Sequence, residues 1–288
     1  MAVEFVKDQG FKLFNEGRSL LLKTLSFTKE NAFLTDKQIM KMAEATGEYL
    51  YAVSGRTLLP YRRTTITPFS AQALPDDAAT YKFTTEDALP YWLDGSIRLN
   101  PLAFYHSIEN EHARDVREGF GTVHLNSETR QAAFETMSGF NAFAICTSAD
   151  ARKSERRVRH EKFGPRLLRI NRANEFASKI SHLIGSRRFV VRDVTYSDTK
   201  IVKGSSSLPD VVLRLNGSGD LKEETLEYLA QHHLDELIEA TEAASAFTKP
   251  SSYWMERERR FLFAMDDDVT EWRSISDKAL VEHIEVLV

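Results

Sequence analysis

Residues Ile39, Ala43, Thr46, Leu50 and Val53 recur at three- and four-residue steps, the spacing of one helical face. Ahead of them, Thr35-Asp36-Lys37-Gln38 has the form of a capping box, in which the Thr35 hydroxyl and the Gln38 side chain satisfy each other's backbone amides. The stretch from Phe5 to Leu25 is also helix-like, although Gly10 and Gly17 interrupt it at about 1 kcal/mol each against alanine. The pattern therefore predicts a helical N-terminal segment over residues 1–55. Residues 56–95 lose the periodicity. Pro60, Pro68, Pro75 and Pro90 punctuate them, and they read as an irregular linker or as a drape over the main body.

From residue 96 to 288, short apolar runs alternate with amphipathic ones. Ile97 to Leu99, Thr122 to Leu125, Phe140 to Thr147, Arg166 to Ile170, Arg188 to Tyr196, Asp210 to Leu215, Arg259 to Met265 and His283 to Val288 are predicted strands. Phe140 to Thr147 is almost wholly apolar, as a strand covered on both faces would be. Phe176, Ile180, Leu183 and Ile184 form one helical stripe, with Asn171 or Asn174 as its cap. Leu226, Leu229, His233, Leu237 and Ala244 form a second, opened by Asp220. Strands and helices do not alternate regularly, so the expected class is α+β: a mixed, largely antiparallel sheet with flanking helices.

Composition narrows the class without naming an activity. In 288 residues, 42% are apolar and 28% charged, as in a globular protein with a sizeable core. Lys and Arg total 38 against 42 Asp and Glu, a net charge of −4. That sum excludes a global positive field for nucleic acid or anionic membranes. The lone Cys146 excludes an intrachain disulfide and any zinc site built from several cysteines. No apolar run approaches the ~18 residues of a membrane span, and Glu4 and Asp8 do not suit a signal peptide. The expectation is a cytoplasmic protein with no membrane partner.

Chemistry concentrates in a few segments. In Lys249-Pro250-Ser251-Ser252-Tyr253-Trp254-Met255-Glu256-Arg257-Glu258-Arg259-Arg260, a strand period would place Glu256, Glu258 and Arg260 on one face and Arg257 and Arg259 on the other. Two carboxylates about 7 Å apart on one face beside a guanidinium suit acid/base work. They equally suit an edge strand with alternating, solvated charges. The run from Glu109 to Gly119 places Arg114, Asp115 and Glu118 on a helix that breaks at a glycine, as a solvated face or as ligands for a substrate or phosphate. Gly119-Phe120-Gly121 reads as a turn before a strand. Cys146-Thr147-Ser148 ends the apolar strand, where small polar groups can line a pocket, with Cys146 itself an inert thiol. Arg152 to Lys162 has six basic residues against Glu155 and Glu161, suited to phosphate or to solvent. Asp266-Asp267-Asp268 reads as a turn, and also as a possible metal holder.

Two resemblances follow from these motifs. Arg114, Asp115, Glu118 and Gly119, then Cys146 and Ser148, then Phe163-Gly164, then Phe247, Lys249, Pro250 and Tyr253, then Glu256, Glu258 and Arg259 stand in an order that resembles the bacterial domain-of-unknown-function family numbered twenty-nine seventy-one and its relatives, over residues 96–288. That resemblance implies a bacterial or phage-defence setting and no particular activity. Arg98, Thr147-Ser148 and Glu256-x-Glu258 are similar in order to the Arg-Ser-Glu class of ADP-ribosyltransferases, although Cys146 replaces the first serine of that class's triplet. The second resemblance implies an enzyme, a toxin or defence effector, that uses NAD to modify a macromolecular acceptor, protein or nucleic acid. Arg98 would hold an NAD phosphate, and Thr147 and Ser148 the nicotinamide side. Glu258 would hold the ribose and Glu256 would assist the acceptor. Arg114, Asp115, Glu118, Lys249 and Arg260 remain as substrate or phosphate contacts.

Two alternatives stand beside this reading. In one, Asp115, Glu118, Glu256 and Glu258 hold Mg²⁺ in a nuclease or phosphodiesterase, with Lys249 on the phosphate. In the other, the chain is a sensor or interaction module whose N-terminal helices dimerise or bind a partner.

Overall fold

A computed structural model of the chain describes residues 3–6, 10–16, 18–27, 35, 37–38, 41, 66–68, 74–107, 118–126, 131–152, 159–197, 200–203 and 223–287. Most of the segment expected to be helical over 1–55 lies outside them, and the described portion begins differently. Val3–Val6 (β1), Gly10–Asn15 (β2) and Arg18–Phe27 (β3) form successive antiparallel strands. Gly10, which would weaken a helix interior, opens β2 instead, and Glu16, with a left-handed φ of 47°, turns the chain into β3. The described residues between 3 and 27 thus offer strands rather than a helix to an N-terminal interface. The capping box at Thr35 does form: the Thr35 amide and hydroxyl both donate to Gln38 Oε1 at 2.9 Å.

These three strands continue into a larger sheet. Gln131–Met137 (β8) pairs with β3, Phe120–Asn126 (β7) with β8, and Ile201–Lys203 (β13) lies parallel to both β7 and Ile66–Pro68 (β4). Helices Glu223–His232 (α4) and Leu234–Ser245 (α5) pack on this sheet. The single stripe expected from Leu226 to Ala244 is thus broken into two helices at His233, whose φ is −136°. Gly121 marks the contact with α5, since a Cβ there would sit 2.5 Å from the Ala244 Cβ.

The second sheet carries the main core. Its central pair is Ala142–Ser148 (β9) against Glu258–Ala264 (β15), antiparallel, with Glu258 opposite Ser148 and Arg260 opposite Cys146. Arg188–Asp193 (β11) flanks β15. Thr80–Thr84 (β5), Arg166–Ile170 (β10) and Ile284–Val286 (β17) follow on the other side of β9. Ser96–Pro101 (β6) joins β9 and also pairs Arg273–Ser276 (β16). Thr195–Tyr196 (β12) lies parallel to Thr248–Lys249 (β14). The short helices Leu89–Leu93 (α1) and Phe104–Ser107 (α2) bracket β6. Residues 74–95 therefore carry a core strand and a helix within the body, where sequence punctuation alone indicates irregular chain.

Helix Ala173–Ile184 (α3) covers the sheet with Phe176, Ala177, Ile180 and Ile184, all buried, and the Phe176 ring meets Phe261 edge-on at 5.9 Å. Two expectations at this helix need correction. Leu183 is 37% exposed and off the buried face. The N-cap is Arg172 in the left-handed region, with no side-chain cap from Asn171 or Asn174. Asp210 to Leu215, expected as a strand, lies outside the described residues. The architecture is α+β with mostly antiparallel pairing, and no helix among the described residues is long and apolar enough to cross a membrane.

Gly164 links β10 to the preceding helical turn at φ 115°, where an added Cβ would lie 2.3 Å from the Thr84 carbonyl oxygen. Gly164→Ala is expected to lower stability by about 1–3 kcal/mol. The test is the urea midpoint at an unchanged m value.

Candidate functional site

The two ends of β9 and β15 create an unusual burial problem. Arg260 is on the same face as Cys146 and points inward with 1% exposure. A guanidinium at that depth needs each of its three nitrogens matched. Its Nε donates to Glu258 Oε1 at 2.7 Å, while Nη1 and Nη2 grip Glu118 at 2.6 and 3.0 Å as a bidentate pair. Nη1 also reaches the Ala246 carbonyl at 2.6 Å, just past the end of α5. Lys249 then bridges the remaining acids, donating to Glu258 Oε2 and to Glu256 Oε2, each at 2.9 Å. The result is a buried line of alternating charge: Glu118, Arg260, Glu258, Lys249, Glu256.

Each member arrives by a different local device. Glu118 sits in the turn before β7, and Gly119 behind it adopts φ 78°; of the Gly-Phe-Gly expected as a turn, only Gly119 turns, while Phe120 and Gly121 already belong to β7. Lys249 is fixed by β14, with its carbonyl accepting from the Ser197 amide. Glu256 does not reach the site through strand periodicity. It ends a 3₁₀ turn, Ser251–Glu256, and Arg257 follows in the left-handed region at φ 47°. That kink swings the chain so that Glu256 and Glu258 face one space, while Arg257 turns towards Asp150 and Arg259 pairs with Asp193 on the far side. Tyr196 closes the arrangement, its hydroxyl accepting from the Glu258 amide at 2.7 Å.

This line borders a cavity of about 190 Å³. Its remaining walls are Tyr81, Lys82 and Phe83 of β5, Tyr105, Cys146, Thr147, Ser148 and Phe163. Ser148 donates to the Glu256 carbonyl at 3.0 Å, and Thr147 donates to the Arg259 carbonyl at 2.7 Å. Both hydroxyls therefore brace the polypeptide beside the acids. The Lys82 ammonium donates to the Cys146 carbonyl at 2.9 Å.

Electrostatics separates the two neighbouring carboxyls. Burial alone would raise Glu258, but Arg260 and Lys249 overcome it and hold its carboxylate well below the usual range. Burial raises Glu256, and the single shared ammonium of Lys249 does not bring it back, so it titrates above an ordinary glutamate. Among the described residues, Glu256 Oε1 has no hydrogen-bond partner, and Lys162 stands 3.9 Å from it. Lys249 would be lowered by burial, yet Glu256, Glu258 and Glu118 keep it firmly protonated. Burial pushes the Cys146 thiol up to about 12, with Glu258 adding to the effect. This matches the expected inert thiol.

Of the residues singled out by sequence, Glu118, Thr147, Ser148, Lys249, Glu256, Glu258 and Arg260 line this cavity. Arg98 does not: it lies exposed on β6, with its guanidinium over the Trp272 ring at 4.6 Å. Arg114 and Asp115 lie outside the described residues. The three acids of the Mg²⁺ alternative that are described are already bonded to Arg260 or Lys249, and no group of three His, Cys, Asp or Glu side chains among the described residues is arranged to hold a metal. The basic run contributes Lys162 near Glu256. Its Arg159 is buried and ties Met255 and Asp150 together through their carbonyls. Asp268 accepts from the Ser19 amide at 3.1 Å. Trp254 is 45% exposed, while the Tyr253 ring lies 4.6 Å from the Lys249 ammonium. Sequence reasoning missed Tyr81, Lys82, Phe83, Tyr105 and Tyr196. The alternation of Tyr81-Lys82-Phe83 was the available signal.

No family model, curated protein or solved structure matches the chain.

Two outcomes test this geometry. Arg260→Met strands Glu118 and Glu258 and is expected to cost about 3–5 kcal/mol. Adding Glu118→Gln to that variant should recover part of the loss in chemical denaturation. Alkylation of native Cys146 at pH 8 should run about a thousandfold slower than for an ordinary thiol, since its thiolate is scarcer by about three pKa units. The rate should keep rising with pH through 11 without a plateau, followed by mass spectrometry.

Proposed function

We propose that this cavity is the active site of an ADP-ribosyltransferase-like enzyme that uses NAD to modify a macromolecular acceptor. The observation that carries the reading is the separation of Glu256 from Glu258 around the shared ammonium of Lys249. Two carboxyls whose environments drive their titration apart divide into a permanent anion and a proton carrier. Glu258, held ionised, is the group that would bind a ribose hydroxyl and stabilise positive charge developing at the anomeric carbon. The bond from that carbon to the pyridinium nitrogen breaks, and nicotinamide leaves neutral with the bonding pair. The acceptor nucleophile then bonds to the carbon and gives its proton to Glu256, whose raised basicity and unpartnered Oε1 suit a general base.

Tyr81, Phe83 and Phe163 line the cavity with Thr147 and Ser148, and would flank the planar ring. Arg98 has no part in this reading. Its assigned role on a phosphate passes to Lys162, the cation beside Glu256. Kinship with the domain-of-unknown-function family numbered twenty-nine seventy-one is likewise our proposal. It is supported by the convergence of Glu118, Cys146, Ser148, Phe163, Lys249, Glu256 and Glu258 on one cavity.

The test is nicotinamide release and label transfer from labelled NAD by the full chain, offered bacterial lysate, DNA and RNA as acceptors. Glu258→Gln is expected to reduce turnover by about 10²–10³. Glu256→Gln should lower transfer by about 10²–10⁴. Because Glu256 acts as its carboxylate, native activity should rise with pH through its raised pKa, and that limb should vanish in Glu256→Gln. Absence of release from the folded native protein with every acceptor would overturn the assignment.

A further inference from the structure

Lys82 is the cavity cation that the proposed mechanism leaves unused. It belongs to β5, the strand beside β9, and its side chain lines the cavity while remaining partly accessible. Lys249 and Arg260 are each locked between carboxylates. Among the described residues, Lys82 has no ion-pair partner, and its contact is the Cys146 carbonyl at 2.9 Å. The cavity is also lined by Tyr81, Phe83, Tyr105 and Phe163.

We propose that Lys82 is a carbonyl-capturing lysine, and that the cavity accepts an aldehyde or ketone carried on a ring-sized molecule as an imine on its Nζ. The position is suited to the step. One hydrogen bond to a backbone carbonyl aims the nitrogen without neutralising a carboxylate, and aromatic walls would cover the ligand ring. Burial works in the same direction, lowering the Lys82 pKa against weaker opposing pulls from Cys146 and Glu258, so that more free amine is present near neutrality.

In the step itself, the Nζ lone pair forms a bond to the carbonyl carbon and the C=O π pair moves to oxygen, which takes up the proton that the nitrogen sheds. The resulting carbinolamine loses its hydroxyl as water, protonated by the Glu256 carboxyl across the cavity. The nitrogen pair completes the C=N bond. Nothing is oxidised or reduced, and water is the sole by-product. This capture uses the cavity but does not depend on NAD chemistry.

The experiment treats the full native chain at pH 7 with benzaldehyde and sodium cyanoborohydride, followed by digestion and peptide mass mapping. Lys82 should become benzylated at least tenfold faster than the median surface lysine, with saturation in benzaldehyde. Lys249, held by two carboxylates, should stay unlabelled. Lys82→Arg should remove the fast phase while circular dichroism and the slow surface labelling stay unchanged. If that variant does not fold, prior occupation of the site by salicylaldehyde without reductant should protect Lys82 in the native chain. Lys82 labelling no faster than surface lysines, or a fast phase that survives in folded Lys82→Arg, would overturn the proposal. Nicotinamide release is measured separately, so failure of either reading leaves the other standing.

Discussion

A guanidinium withdrawn from water must be matched donor by donor, and the matching of Arg260 organises much of this molecule. Glu118 comes from the turn before β7, Glu258 from the start of β15, and the Ala246 carbonyl from the end of α5. One side chain thus binds together the N-terminal sheet, the helix packed on it and the central strand pair of the second sheet. Burying such a charge is defensible only when the set is complete, because removal of any single partner leaves an uncompensated ion in a low-dielectric interior. The small residues around it serve the same closure. Gly121 admits Ala244 of α5, which brings the helix end close enough for its carbonyl to be used.

The line of charge also explains how two glutamates separated by one residue can behave differently. Glu258 accepts hydrogen bonds from two cations, whereas Glu256 accepts from Lys249 and meets Lys162 only at 3.9 Å. The left-handed Arg257 between them costs about 1–2 kcal/mol for a residue with a Cβ, and it lets a 3₁₀ turn and a strand present their side chains to the same space. A continuous strand would have given both carboxyls equivalent surroundings. The break in regular structure is what makes them chemically distinct.

Legibility in the sequence followed the strength of local pattern. β9, β15 and the buried stripe of α3 were readable because burial on a sheet or helix face imposes a period. Glu258 and Arg260 shared a face for the same reason. Glu256 was placed with them for a reason that turned out to be different: strand periodicity was assumed, and a turn does the work. The N-terminal strands are not legible in the sequence because Phe5 to Leu25 is helix-like in pattern, while Gly10 and Glu16 act as hairpin punctuation. Lys82 and its aromatic neighbours were hidden by the prolines on either side, since proline frequency reports turns and is silent about the short strand between them. Arg98 shows the limit of motif order, which preserves succession along the chain and carries no information about which side of a strand faces a cavity.

The carbonyl of Ala246 has one more consequence. It terminates a twelve-residue helix, and the C-terminal end of a helix carries roughly half a negative charge from its aligned peptide dipoles. The surroundings of Arg260 are therefore more negative than its side chains alone provide, and the guanidinium is held by a helix end as well as by two carboxylates.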